Sequence, residues 1–191
     1  ARERAIDLSS ELFIGILAQL AHVDPILVIG FIELRGDNLY NSAFVVKNGE
    51  VLGNYRKTNL IGQEKDTFEP GHDVPIFKVG GMMFGINICY DLNFPDCAAA
   101  VADQGAKLLV CPCNNMLSRK NAEKWKHKHN EIRSKRSIET GLWLLSSDVT
   151  GKTESRISYG PTALINRDGV VVSQVPLLES GLLVQEIDVG V

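Results

Sequence analysis

The sequence holds little of what would betray its chemistry at sight. Its 191 residues include only four cysteines, four histidines and two tryptophans. Cys89, Cys97, Cys111 and Cys113 are too few in a chain of this length to form a disulfide framework, so reduced thiols in the cytoplasm are the expected state. Cys111-Pro112-Cys113 is a CxC with no second pair to complete a tetrahedral site, and it reads as the end of a buried strand. The histidines lack HxxxH or HExxH spacing, which excludes a zinc site of that kind. His127 and His129, two apart on a predicted helix, point to different faces, while His22 and His72 read as solvated. None has a reason in the sequence to meet a cysteine, which argues against a Cys–His hydrolase. Net charge is only −3, without a long basic tract, so neither nucleic acid nor a membrane surface is expected as a partner. No apolar run approaches the length that spans a bilayer. Repeats, low-complexity tracts and linkers are also missing, and residues 1–191 read as a single domain.

What is there centres on Met82-Met83-Phe84-Gly85-Ile86-Asn87-Ile88-Cys89-Tyr90-Asp91. The apolar run has the composition of a strand buried on both faces. It stops at a cysteine followed by Asp91-Leu92-Asn93-Phe94-Pro95-Asp96, with a helix predicted from Asp96 to Gln104. Cys89 therefore stands where a buried strand hands over to a helix, at the end of the sheet that faces ligands in open α/β folds. A free cysteine is also among the most buried residue types, so the position alone does not make it a nucleophile.

The chain in order supports an α/β reading. Residues 1–22 are expected to be one helix, entered without a capping residue, which suggests a longer natural chain. Asp24-Pro25 breaks it, and Ile26–Ile32 is a buried strand. Asn48-Gly49, Gly80-Gly81 and Asp168-Gly169 mark three hairpins. Between the last two, helix 96–104, strand Lys107–Cys111, a long helix from Asn121 to Thr140 and strand Leu142–Ser147 alternate. Gly105 and Gly141 close the two helices. Hairpins interleaved with β-α-β units predict a mixed sheet covered by helices on one side, and the hairpin strands leave apolar surface to pack against a second sheet.

Tyr55-Arg56-Lys57, Phe68-Glu69-Pro70-Gly71 and Ile88-Cys89-Tyr90-Asp91 occur in that order. Gly30-Phe31-Ile32-Glu33 and Tyr40-Asn41-Ser42-Ala43 precede them, and Arg136-Ser137-Ile138-Glu139 and Gly160-Pro161-Thr162 follow. Together these motifs resemble the nitrilase superfamily, the carbon–nitrogen hydrolases, from about residue 10 to Asp188. The resemblance implies an αββα sandwich of two mixed sheets flanked by helices, a homodimer, and a Glu–Lys–Cys triad with a second glutamate nearby. It assigns Cys89 as nucleophile, Lys57 as the family lysine and Glu64 as the accessory glutamate. No metal or organic cofactor is implied. The substrate is a small-molecule amide or N-carbamoyl compound: Tyr90-Asp91 follows the cysteine where nitrile-cleaving relatives usually carry Trp-Glu. Asn59 stands where many relatives have histidine. The alternative is a catalytically inactive member, kept as a binding or assembly subunit.

Physical chemistry agrees with these roles. An ammonium group favours the reactive thiolate, so Cys89 is expected to be alkylated at pH 6–7 ahead of the other three cysteines. Lys57 and backbone N–H groups near Tyr90 would stabilise charge developing on the substrate. A buried lysine needs a counter-charge, which Glu64 supplies. Asn114, Asn115, Met116 and Arg119 follow a strand end and, with Tyr90, are expected to line the substrate pocket, with Arg119 or Arg133 as candidates for holding a carboxylate.

The triad's own glutamate belongs, in relatives, at the end of a strand upstream of the opening helix. No stretch of this sequence matches that strand. Glu3 and Glu11 lie in the opening helix, and Glu33 matches a later motif. The resemblance therefore implies a fragment lacking the N-terminal strand–helix–strand segment, with poor turnover by itself.

Overall fold

The computed structural model describes residues 1–190. Its first half contains β1 (Ile6–Asp7), α1 (Glu11–Gln19), β2 (Leu27–Arg35), β3 (Asn38–Lys47), β4 (Glu50–Arg56), β5 (Ile76–Val79) and β6 (Met82–Ile86). There follow α2 (Pro95–Ala102), β7 (Leu108–Cys113), β8 (Leu117–Ser118), α3 (Arg119–Trp125) and α4 (Lys128–Thr140). The chain continues through β9 (Trp143–Asp148), β10 (Thr150–Lys152), β11 (Arg156–Tyr159), β12 (Ala163–Ile165) and β13 (Val171–Gln174). One sheet has the order β1-β2-β3-β4, and a larger one runs β13-β12-β9-β7-β6-β5; β10, β11 and β8 form a small third sheet.

Both main sheets are mixed. In the larger, β6, β7 and β9 are parallel, and hairpins add β5 and β13 at the edges. The parallel strands are joined through helices, as a parallel connection requires. Three apolar clusters correspond to three interfaces between layers. Phe13 of α1 packs on Phe31 and Phe44 of the first sheet. Ala43, Val45 and Tyr55 meet Phe77, Phe84, Ile86 and Leu108 between the sheets. Ala98 and Val101 of α2 lie against Leu109, Cys111, Leu144 and Ile165 on the far face of the second sheet. Leu108 and Leu109, successive on β7, thus serve different interfaces, which is why these strands are apolar throughout. This is the αββα sandwich expected from the sequence.

Local turn chemistry acts as read. Asn48 and Gly49 both adopt positive φ, 50° and 76°, between β3 and β4. Gly141 ends α4 in the left-handed conformation at φ 67°. Two expectations fail. The opening residues are not one uncapped helix: β1 precedes α1, and the Ser10 side chain accepts from the Phe13 N–H at 3.2 Å. An N-cap serine is therefore present, and the argument from a missing cap lapses. The long helix 121–140 is two helices, interrupted at Lys126 and His127. α3 packs on β8 and β11, whereas α4 packs on α2, β9 and β12, so one straight helix could not serve both.

Gly85 is what lets α2 sit close to β6, just before Cys89. A Cβ there would meet Val101 Cγ1 at 2.5 Å and Cγ2 at 2.9 Å. Gly85→Ala is expected to lower stability by about 1–3 kcal/mol, the usual cost of overpacking. Adding Val101→Ala should remove part of that loss, as a double-mutant cycle in urea would show. An unchanged urea midpoint for Gly85→Ala would refute the close approach.

Candidate active site

Cys89 opens a short 3-10 helix, Cys89–Asn93, just beyond β6. Its φ is +47°, a left-handed conformation that a non-glycine residue holds only when its surroundings enforce it. Asp91 is the enforcing group. Fully buried, it accepts from the Ile88 N–H at 2.9 Å, the Tyr55 hydroxyl at 2.9 Å and the Asn59 N–H at 2.8 Å. Asn59 Nδ2 adds a fourth bond at 3.1 Å. Asp91 thus ties the cysteine turn to the end of β4.

Lys57 follows β4 directly, and its N–H donates to Asn41 O at 2.8 Å. The side chain is 2% exposed, and its ammonium donates to both oxygens of Glu64 at 2.8 and 2.6 Å. Glu64 stands in the 3-10 helix Gly62–Asp66 and also accepts from Asn41 Nδ2 at 3.1 Å and Ile61 N–H at 2.9 Å. The loop after it is pinned to the same strand end, since Gly71 N–H donates to Lys57 O at 2.9 Å. Only glycine fits there: a Cβ would stand 2.2 Å from Arg56 O.

On its other side Cys89 meets residues from three further elements. Cys89 Sγ donates to Asn115 Oδ1 at 3.3 Å. Asn115 N–H donates to Asp148 Oδ1 at 3.0 Å, and Asn115 Nδ2 donates to Asp148 Oδ2. Arg133 of α4, 2% exposed, donates to Cys113 Sγ at 3.2 Å, to Asn130 Oδ1 at 3.0 Å and to Pro161 O. Its guanidinium also lies 3.7 Å from Asp148 Oδ2. Cys113 and Cys111 approach to 3.5 Å between sulfurs.

These neighbours act against the thiolate that Lys57 favours. The neighbouring Cys113, together with burial, pushes the Cys89 thiol well above the usual range, and the opposing pull of Lys57 does not offset them. The hydrogen bond with Cys111, with the Arg133 guanidinium donating beside it, pulls Cys113 the other way, below that range. Burial and the charge at Cys113 push Asp148 up to about 6.

The other predicted residues divide. Asn114 and Met116 line a cavity of about 830 Å³ with Glu64, Ile88, Cys113 and Asp148. Asn115 and Cys89 lie behind it, around a void of about 20 Å³ that Cys113 also borders. Tyr90 faces elsewhere: its ring packs edge-on against Phe94 and lines a separate cavity with Asn59, Ile61 and Lys65. Arg119 is exposed at the start of α3 and borders none of these cavities, and Arg133 is committed to internal partners.

Sequence reasoning missed two residues. Asp148 showed no signal beyond its place at a strand end. His129 was set aside, yet it borders the same small void as Cys89 and stacks on Trp125. Burial and the Arg133 charge push it down to about 4, so it is neutral at pH 7 and a poor base. Glu33, also set aside, is buried and accepts from Arg56, Ser42 and Asn54, a saturated set. Among the described residues no group of three or more His, Cys, Asp or Glu side chains is placed to hold a metal ion. No helix among them is long and apolar enough to cross a membrane.

Known proteins resemble this chain in sequence and in fold. A nitrilase of Pyrococcus abyssi is 31% identical over 163 residues, covering 85% of this chain and 59% of its own. A glutamine-dependent NAD(+) synthetase of Acinetobacter baylyi is 29% identical over 172 residues, 87% of this chain and 31% of its own. The solved structure of the glutamine-dependent NAD+ synthetase from Acinetobacter baumannii superposes with a TM-score of 0.78 at 25% identity, covering 87% of this chain and 32% of that one. The chain thus spans about three fifths of the nitrilase and about a third of the synthetases. The carbon–nitrogen hydrolase family model matches residues 1–191, and on that match this chain belongs to the carbon–nitrogen hydrolases of the nitrilase superfamily.

Proposed function

We propose that the chain hydrolyses a non-peptide carbon–nitrogen bond in a small amide or N-carbamoyl compound through a thioester on Cys89. The observation that carries this reading is a strained cysteine turn that feels the charge of a buried, carboxylate-paired lysine from just beyond β4. Cys89 Sγ attacks the carbonyl carbon as its proton is removed, and negative charge gathers on the carbonyl oxygen. Lys57 Nζ and the N–H groups at the start of the Cys89–Asn93 turn receive that charge. The C–N bond breaks, the amine leaves with a proton, and water then releases the acid from the thioester. The cavity of about 830 Å³ has room for a small substrate beside Glu64 and Cys113. The reading includes a cytoplasmic, homodimeric protein. Four free thiols support the first, and the exposed Leu12 and Ile14 on α1 the second.

Each described carboxylate near the thiol is already committed. Glu64 holds Lys57 with both oxygens, and Asp148 holds Asn115. The reading therefore includes slow turnover from these residues by themselves. That commitment, with the raised Cys89 thiol, is also what favours the second reading, an inactive binding or assembly subunit. A panel of amides, including glutamine, with N-carbamoyl amino acids and nitriles, separates the two. Ammonia release and an acyl adduct on Cys89 are expected from an amide or carbamoyl compound, and both should vanish in Cys89→Ala. Neither signal from any compound, in protein whose Cys89 still reacts with iodoacetamide, would sink the enzymatic reading.

A further inference from the structure

The side-chain amide of Asn115 presents its oxygen, not its nitrogen, to Cys89. An amide can turn either end to a neighbour, and its remaining partners decide which. Here the deciding partner is Asp148 on β9, whose Cα is in register with Cys113 of β7. One Asp148 oxygen accepts from the Asn115 N–H at 3.0 Å, and the other accepts from Nδ2. A carboxylate has only acceptors to offer, so turning the amide over would set Oδ1 against a carboxylate oxygen. Nδ2 is thereby held on Asp148, and Oδ1 is left 3.3 Å from Cys89 Sγ. Both residues are shielded, Asn115 at 6% exposure and the Asp148 side chain at 0%. Asp148 is itself held, its N–H on Thr162 Oγ1 at 3.0 Å and its carboxylate beside Arg133.

We propose that Asp148 is a positioning residue for the nucleophile: through the orientation it imposes on Asn115, it keeps the resting Cys89 protonated and aimed. An oxygen acceptor bonds a thiol but has no hydrogen to give a thiolate, so it favours the protonated form. The other groups facing Cys89 are Lys57 from the end of β4, Cys113 from β7, and Arg133 and His129 from α4. Lys57 draws toward the thiolate, whereas Asn115 opposes it. A protonated sulfur reacts slowly with peroxide or stray electrophiles, so the empty site stays intact until substrate and base are both in place. The purpose rests on the reading of Cys89 as nucleophile, although the bonding pattern does not.

The test is the pH profile of Cys89 alkylation by iodoacetamide, followed by tandem mass spectrometry so that each cysteine is read separately. Asp148→Asn sets a second NH2 against Asn115 and frees its amide to turn a donor toward the sulfur. The inflection for Cys89 is expected to fall by about one unit, with alkylation at pH 7 about threefold faster per unit once the lower nucleophilicity of a more acidic thiol is allowed for. Asn115→Ala, which leaves the Arg133–Asp148 pair alone, should also lower the inflection by removing the acceptor. In the double variant, Asp148→Asn should add nothing to Asn115→Ala. An unchanged inflection in Asn115→Ala overturns the proposal, whether or not Asp148→Asn folds. Additive shifts overturn it as well, because they would mean that the Asp148 charge acts directly rather than through the amide. Ammonia release plays no part in this readout. Non-additive shifts in a protein that hydrolyses no amide would uphold Asp148 and sink only the catalytic reading.

Discussion

Lys57→Met is expected to leave the protein folded and to slow acylation of Cys89 by about 10²–10³-fold, the usual effect of removing one donor to a developing oxyanion. Methionine matches the length of lysine but has no charge to place on the substrate oxygen. The partner left behind is what keeps the fold intact. Glu64 retains its bonds from Asn41 Nδ2 and the Ile61 N–H, and its side chain is 23% exposed. It can therefore be hydrated, which holds the loss below the roughly 3–5 kcal/mol that accompanies breaking a fully buried pair. First-turnover acylation followed by mass spectrometry measures the chemical step, and a urea melt checks the fold. Acylation within about threefold of the parent would remove Lys57 from the mechanism, since a lost oxyanion donor cannot have so small an effect.

Asp91→Ala should do the opposite, acting on stability first. Its carboxylate accepts four bonds, from Ile88 N–H, Tyr55 Oη, Asn59 N–H and Asn59 Nδ2. Alanine would leave the buried Ile88 N–H without a partner and the Tyr55 hydroxyl with Thr58 Oγ1 alone, and would release both bonds from Asn59, which places the loss at about 3–5 kcal/mol. Asp91→Asn is not a rescue, because its NH2 would face at least one of these donors. Urea unfolding measures the loss. With the turn released, Cys89 should leave its left-handed conformation, and the thioester should fail to form even in protein that remains folded. A loss under about 1 kcal/mol, the worth of a single ordinary hydrogen bond, would show that Asp91 does not hold the turn.

Much of this molecule is written in short stretches of chain. Asn48-Gly49 specifies its hairpin because both residues tolerate positive φ, and Gly141 ends α4 for the same reason. The apolar run through Ile86 ends at Cys89 because a buried strand must stop where polar, turn-forming residues begin. Lys57, Glu64 and Cys89 were legible through motifs whose order and spacing match a family. The break between α3 and α4 was not, because periodicity is continuous across it and only the choice of packing partner interrupts the helix. The cap at Ser10 is carried by Asp7-Leu8-Ser9-Ser10, a local signal that the spaced apolar residues from Ile6 to Leu20 overlie.

The electrostatic surroundings of Cys89 lay wholly beyond local reading. From the sequence, Cys89 needed only a lysine to become a thiolate. In the folded protein its sulfur answers also to Cys113, Asn115 and Asp148, and through Cys113 to Arg133. Which end of the Asn115 amide faces the sulfur is decided by a carboxylate 33 residues further along the chain. Sequence by itself determined the family, the layered α/β architecture and the positions of Cys89, Lys57 and Glu64, because turn preferences and strand patterning act over a few neighbouring residues. Only the tertiary structure decided that Asn115 turns its oxygen to Cys89, that Cys113 and burial push that thiol up and that Tyr90 faces away from the cavity beside Glu64. Those outcomes depend on electrostatics and burial summed across β4, β7, β9 and α4, elements that the chain brings together only on folding.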